Sequence, residues 1–138
     1  MSRSVEVPIA IGELIDKITI LEIKMERIRD AAKLANVRRE LDLLRARRDT
    51  GLAGDAGIEA LSARLKKLNE SLWDLEDEIR DCERRRDFGP AFVAAARRIY
   101  STNDERCAVK REINLLSGSD LMEEKAYVSY ASSEGPVH

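Results

Sequence analysis

The sequence predicts an all-α protein built from two antiparallel helical hairpins, one short and one long, packed as a helical bundle with coiled-coil-like seams. Alanine, leucine, glutamate and arginine are the commonest residues of the chain and favour helix, while aromatic residues make up only 4% of it. In residues 58–82, apolar side chains recur in alternating steps of three and four, which is the spacing of one helix face. This face consists of Ile58, Leu61, Leu65, Leu68, Leu72, Leu75, Ile79 and Cys82.

A face of this length has to be buried against a second helix, and the next segment of the chain supplies one. The two expected helices span 57–86 and 90–117 and form the long hairpin. Phe88-Gly89-Pro90 separates them, with glycine and proline in their usual positions at a helix end and a helix start. Paired in opposite directions, the two seams match Cys82 with Ile99 and Leu65 with Leu116 in one constant register.

The short hairpin is expected at 12–30 and 33–48, followed by an internal loop at 49–57 that contains three glycines. Isoleucines and leucines cover so much of the first helix that we expect it to be central in the bundle. One short helical turn is considered for residues 120–130. We expect residues 1–130 to form a single domain and residues 131–138 to be a disordered tail.

Composition excludes several classes of function. The net charge is −2 with acids and bases interspersed, so we expect no nucleic-acid partner. No apolar run approaches the length of a membrane span, so we expect no membrane association. The two cysteines form no CxxC pair and indicate reduced thiols in a cytoplasmic protein. His138, the only histidine, lies in the tail, which argues against histidine catalysis and zinc; we expect no cofactor.

The seam of the long hairpin is interrupted by polar residues, which makes them candidates for function. Arg106 occupies an apolar seam position and therefore requires an anion, for which Asp16 and Glu76 are candidates within the chain. Trp73 lies on an otherwise polar flank, so we expect another element, first of all helix one, to cover it. The candidate ligand-binding residues are Lys17, Trp73, Arg80, Asn103, Arg106, Lys110 and Asn114.

Three stretches of the chain resemble a small family of bacterial and viral proteins of unknown function. They include IGELIDKITILEIK at 11–24, NESLWDLEDEIR at 69–80, and the motifs NDER, KREIN and EKAY within 103–127. The resemblance implies a shared helical fold and implies no activity. It also suggests that six of the candidate residues recur together in the family, namely Lys17, Trp73, Arg80, Arg106, Lys110 and Asn114.

Three functional hypotheses remain open. The sequence does not decide between an enzyme and a protein without catalytic activity. The first is an oligomeric structural or interaction module, expected to be a homodimer because the short hairpin cannot cover the long one. The second is a protein or enzyme that binds a small anionic ligand through the candidate residues. The third is a metal-dependent all-α nucleotide pyrophosphatase with carboxylate pairs one helical turn apart, at Glu13, Asp16, Asp74 and Asp77.

Overall fold

The structure, a computed structural model, describes residues 3–52 and 55–130. Four helices make up the fold: α1 (Ile11–Arg27), α2 (Ala31–Gly51), α3 (Ala56–Arg84) and α4 (Pro90–Ser117). No β-strand occurs in this part of the chain. The prediction of an all-α helical bundle is therefore confirmed. The expected tail at 131–138 lies outside the described residues, and the single-domain boundary at 130 stays a prediction.

The connection between α1 and α2 comes earlier than the sequence pattern predicts. The helix α1 ends at Arg27 rather than 30, because the next residue, Ile28, has an extended backbone. Asp30 then caps α2, its carboxylate accepting hydrogen bonds from the N–H groups of Ala32 (2.9 Å) and Lys33 (3.0 Å). At its other end α2 continues to Gly51 rather than 48, so the internal loop is shorter than predicted.

The ends of the long helices lie close to the predicted positions. Asp55 caps α3 by accepting from the N–H groups of Gly57 and Ile58. The helix ends at Arg84, two residues before the predicted end at 86, and Arg86 has a positive φ of 53° that is incompatible with a continuing helix. The predicted range 90–117 for α4 is correct, and Gly118 closes it with a left-handed φ of 68°.

The first helix is central, as its apolar circumference predicts. It packs against α2, α3 and α4, whereas α2 packs against no other described helix. One core cluster joins α1 to α2 through residues that include Ile18, Leu21 and Leu41. A second cluster joins α1 to α3 and α4 and consists of Ile15, Ile58, Leu65, Val109 and Ile113. Each fully buried side chain of this size contributes roughly 1.5–3 kcal/mol to folding, so α1 holds the two halves together.

The helices α3 and α4 run in opposite directions, since Arg64 near the start of α3 lies 3.8 Å from Glu112 near the end of α4. The residue-by-residue register of both hairpins stays a prediction. After Gly118 the chain turns back over α4 as a return segment (119–130), which contains no helix and therefore contradicts the helical turn considered there. Within the described residues, none of the helices is long and apolar enough to cross a membrane.

Candidate functional site

The polar centre of the molecule is Asp16, a carboxylate of α1 that is only 1% exposed. Arg106 of α4 binds it with two N–H groups: Nε donates to Oδ1 at 3.0 Å, and Nη2 donates to Oδ2. Asn69 of α3 donates to the same Oδ1 at 2.9 Å. A two-pronged guanidinium contact of this kind is the strongest type of ion pair that proteins form. The carboxylate therefore ties α1 to both long helices.

The remaining polar groups around Asp16 are also paired. The Nδ2 group of Asn69 lies 2.9 Å from the Thr19 hydroxyl, which donates to the carbonyl oxygen of Asp16 at 2.8 Å. No buried side-chain nitrogen or oxygen among the described residues lacks a hydrogen-bond partner. We call Glu13, Asp16, Thr19, Asn69, Arg106 and Lys110 the Asp16 network. Such complete pairing removes the main cost of burying polar groups.

Lys110 is the second cation of this network, and its side chain is only 8% exposed. Its Nζ donates to Glu13 at 2.7 Å and to Glu123 of the return segment at 3.2 Å, and it lies 3.9 Å from Asp16. Burial disfavours the charged amine, but the hydrogen bond to Glu13 and the nearby carboxylates outweigh burial and raise the pKa of Lys110. The hydrogen bond to Asp16 likewise raises the pKa of Arg106. Both cations therefore stay charged at neutral pH.

The end of α4 holds the start of α1 in place. The first turn of α1 has no side-chain cap of its own at Ala10. Instead, the Gly12 N–H donates to the Asn114 side-chain oxygen at 2.6 Å, and the Ile11 N–H donates to the Ser119 hydroxyl at 3.2 Å. A Cβ atom on Gly12 would overlap the carbonyl oxygen of Lys110, so glycine is what permits this close crossing of the two helices.

Four of the seven candidate ligand-binding residues come together in this region. Arg106 and Lys110 belong to the Asp16 network, Asn103 accepts a hydrogen bond from Arg106 Nη1 at 3.3 Å, and Asn114 anchors α1. These four residues share the inner face of α4.

The other three candidates lie elsewhere. Arg80 is exposed and pairs with Glu76 at 3.4 Å on the surface of α3. Lys17 is exposed and makes no ion pair within the described residues. Trp73 is half-buried beneath the Arg27 guanidinium, 5.8 Å from the ring. Arg27 is the last residue of α1, and the wider expectation that helix one covers this flank stays a prediction.

The two carboxylate pairs considered as metal ligands, one on α1 and one on α3, do not form a common site. Glu13 binds Lys110, Asp16 binds Arg106, and Asp74 binds Arg27 at 2.5 Å. Asp77 is exposed on α3. Within the described residues, no group of three or more His, Cys, Asp or Glu side chains is placed to hold a metal ion.

The sequence predicts Asp16 as a possible partner of Arg106, whereas three other members of the arrangement are not among the predicted site residues. Asn69 and Thr19 could have been found, because each is a polar residue at or beside an apolar helix face. Glu123 carried no such signal, because the return segment has no periodicity. Counting Glu123, three carboxylates surround two cations, so an additional anion would meet a net negative charge in the interior.

Comparison with known proteins agrees with the resemblance seen in the sequence motifs. No curated protein matches the chain. No solved structure matches it either. Residues 5–138 match the model of a family of unknown function, DUF6165, which covers nearly the whole chain and confirms the resemblance to an uncharacterised family. The chain therefore belongs to the family of unknown function DUF6165.

Proposed function

We propose that this protein is a helical interaction module that associates with a second copy of itself through the far end of its long hairpin. We call this part the distal arm: residues 75–102, from α3 after Asp74 to the first half of α4. The last residue of α1, Arg27, contacts Trp73 and Asp74. The helix α3 continues to Arg84, ~15 Å beyond Asp74 by the rise of a helix. Among the described residues, α1 ends at Arg27, and α2 packs against neither α3 nor α4.

The distal arm exposes apolar side chains while burying few. Phe88 and Val93 are 53% and 50% exposed. Its own core is narrow, with Leu75, Cys82 and Ala95 buried between the two helices. A two-helix arm has one internal seam, so its remaining apolar surface is available to a partner.

The charges of the long hairpin are separated along its length, and this separation is the observation that carries the proposal. Residues 70–78 contain five acids and no base: Glu70, Asp74, Glu76, Asp77 and Glu78. The tip, residues 84–98, contains five arginines and one acid: Arg84, Arg85, Arg86, Arg97, Arg98 and Asp87. Arg84 and Arg85 pair with Asp81, whereas the other three arginines make no ion pair within the described residues. Two copies placed side by side in opposite directions would bring each basic tip to the acidic stretch of the other. This is the self-complementarity that a two-fold symmetric dimer requires.

The ion pairing within the Asp16 network supports a structural role for Arg106 and Lys110. Each of these cations has a carboxylate partner from the same chain, as the structural alternative requires. The competing pyrophosphatase hypothesis is weakened because Arg27 engages Asp74, and because the four carboxylates do not form a group that could hold a metal ion within the described residues. The free cysteines, Cys82 and Cys107, support our proposal that the protein works in the reducing cytoplasm.

Charge reversal tests the proposed dimer. The tip variant carries Arg97→Glu and Arg98→Glu, and the acidic-stretch variant carries Asp77→Lys and Glu78→Lys. Light scattering after size-exclusion chromatography, at protein concentrations on the order of tens of micromolar, measures the mass. We expect the parent to be a dimer and each variant to be a monomer, because each self-pairing then opposes like charges. Mixing the two variants should restore the dimer, since both tip contacts become attractive again.

A matched control uses the exposed arginine pair of α2, changed by Arg38→Glu and Arg39→Glu. This control makes the same charge change away from the distal arm and should remain a dimer. A monomeric parent would overturn self-association. A dimeric parent whose tip variant stays dimeric, or whose mixed variants stay monomeric, would overturn the proposed antiparallel arrangement.

A further inference from the structure

A groove separates the return segment from α4. The return segment is held at several points, by Glu123 on Lys110 (3.2 Å), Glu124 on Arg111 (3.3 Å), and the Tyr130 ring on the Tyr100 ring (centroids 5.3 Å apart). Between these contacts lies a cavity of about 1070 Å³. Small-molecule sites typically measure ~300–1,000 Å³, so the groove has room for a ligand of that class.

The walls of the groove combine aromatic rings with cations. Tyr100, Tyr127 and Tyr130 line it together with Arg106 and Lys125. The Arg106 side chain is 26% exposed, and its hydrogen bonds to Asp16 and Asn103 use three of its five N–H groups. Its outer edge therefore retains donors on the groove side.

One cation in the lining of the groove, Lys125, has no carboxylate partner among the described residues. Lys110 is engaged by its carboxylates, and the acid in the lining, Asp104, lies beside Tyr130 and raises the pKa of its hydroxyl. Lys125 pairs with no carboxylate in the described part of the chain and lies 6.0 Å from the centroid of the Tyr127 ring. An uncommitted amine beside exposed tyrosine rings can attract a negative group while the rings stack on a planar one.

We propose that this groove binds a small aromatic anion, with its ring on the tyrosines and its anionic group at Lys125 and the outer edge of Arg106. The site differs from the ligand site expected from the sequence, because its aromatic wall is tyrosine rather than Trp73 and its free cation is Lys125 rather than Lys17 or Arg80. The interior of the Asp16 network, which has an excess of carboxylates, remains closed. The proposal does not depend on self-association through the distal arm.

Phenyl phosphate is the probe for this site, and amide chemical shifts of the full-length protein give a readout for each residue. We expect saturable shifts confined to the groove, including Cys107, Lys125 and Tyr127, at millimolar or lower concentration. Inorganic phosphate has the anionic group without the ring, and benzyl alcohol has the ring without the anionic group. Each should bind at least about tenfold more weakly.

Two variants locate the binding groups. Lys125→Gln and Tyr127→Ser should each weaken the binding of phenyl phosphate by at least about tenfold. Lys67→Gln, which changes an exposed lysine on α3, should leave the binding unchanged. An absence of saturable shifts in the parent overturns the proposal without relying on any variant. Equal binding of inorganic phosphate overturns the aromatic part, and unchanged binding in Lys125→Gln overturns the anionic part.

Discussion

Replacing Arg106 by methionine separates a structural role from a receptor role for this residue. Arg106→Met keeps the apolar stem and removes the charge, so Asp16, which is 1% exposed, loses its two-pronged partner. Removing one partner of a buried ion pair costs roughly 3–5 kcal/mol. We expect the lower end, about 3 kcal/mol, because Asn69 still donates to Asp16 and Lys110 remains 3.9 Å away. An unfolding entropy of about 2.1 cal/mol/K per residue converts this loss to about 10 °C in Tm.

The assay is thermal unfolding followed by circular dichroism at one fixed protein concentration, without ligand. Arg80→Met is the matched control, because it makes the same chemical change in an exposed pair with Glu76 and should cost only about 0–1 kcal/mol. Adding Asp16→Asn to Arg106→Met should restore part of the lost stability, since no buried charge is then left unpaired. A Tm for Arg106→Met equal to or above that of the parent would refute the structural reasoning. It would indicate instead that Arg106 is held against neighbouring cations for the sake of an anion.

Two further predictions concern helix crossing and the return segment. Gly12→Ala should destabilise the fold by about 2 kcal/mol or more, because the new Cβ overlaps the Lys110 carbonyl oxygen. Gly51→Ala is the control, because no heavy atom lies within 4 Å of its new Cβ, and it should be neutral or stabilising. If chemical denaturation gave equal losses of unfolding free energy for both variants, the crossing geometry would be contradicted. The hydrogen bond to Asp104 raises the pKa of Tyr130, so docking of the return segment is fully stabilised below the tyrosine's ordinary pKa of 10.0. That stabilisation is lost as pH rises through the raised value. A pH titration followed at the tyrosinate absorbance band should show one tyrosine that ionises at higher pH than the others. This titration step should be absent in Tyr130→Phe and should move to lower pH in Asp104→Asn.

Much of the fold follows from local pattern. The unbroken apolar spacing of 58–82 and the Gly89-Pro90 boundary predict the long helices to within two residues. The boundaries near Asp30 and Asp55 shifted because side-chain caps, rather than periodicity, decide where a helix starts. The return segment could not be predicted, because it has neither periodicity nor a strong turn motif after Gly118. Its position depends on Lys110, Arg111 and Tyr100, which α4 presents to it.

The sequence by itself determined the helices, the central position of α1 and the presence of an arginine at a seam position that needs an anion. Only the tertiary structure decided which anion it finds, because Arg106 and Asp16 are 90 positions apart in sequence. Periodicity fixes the face on which a side chain lies, but it does not fix how two faces rotate against each other. The tertiary structure also separated Lys17, Trp73 and Arg80 from the four candidates on α4. The direction of a side chain on an exposed flank depends on the helix that packs beside it, and that neighbour is chosen by the fold as a whole.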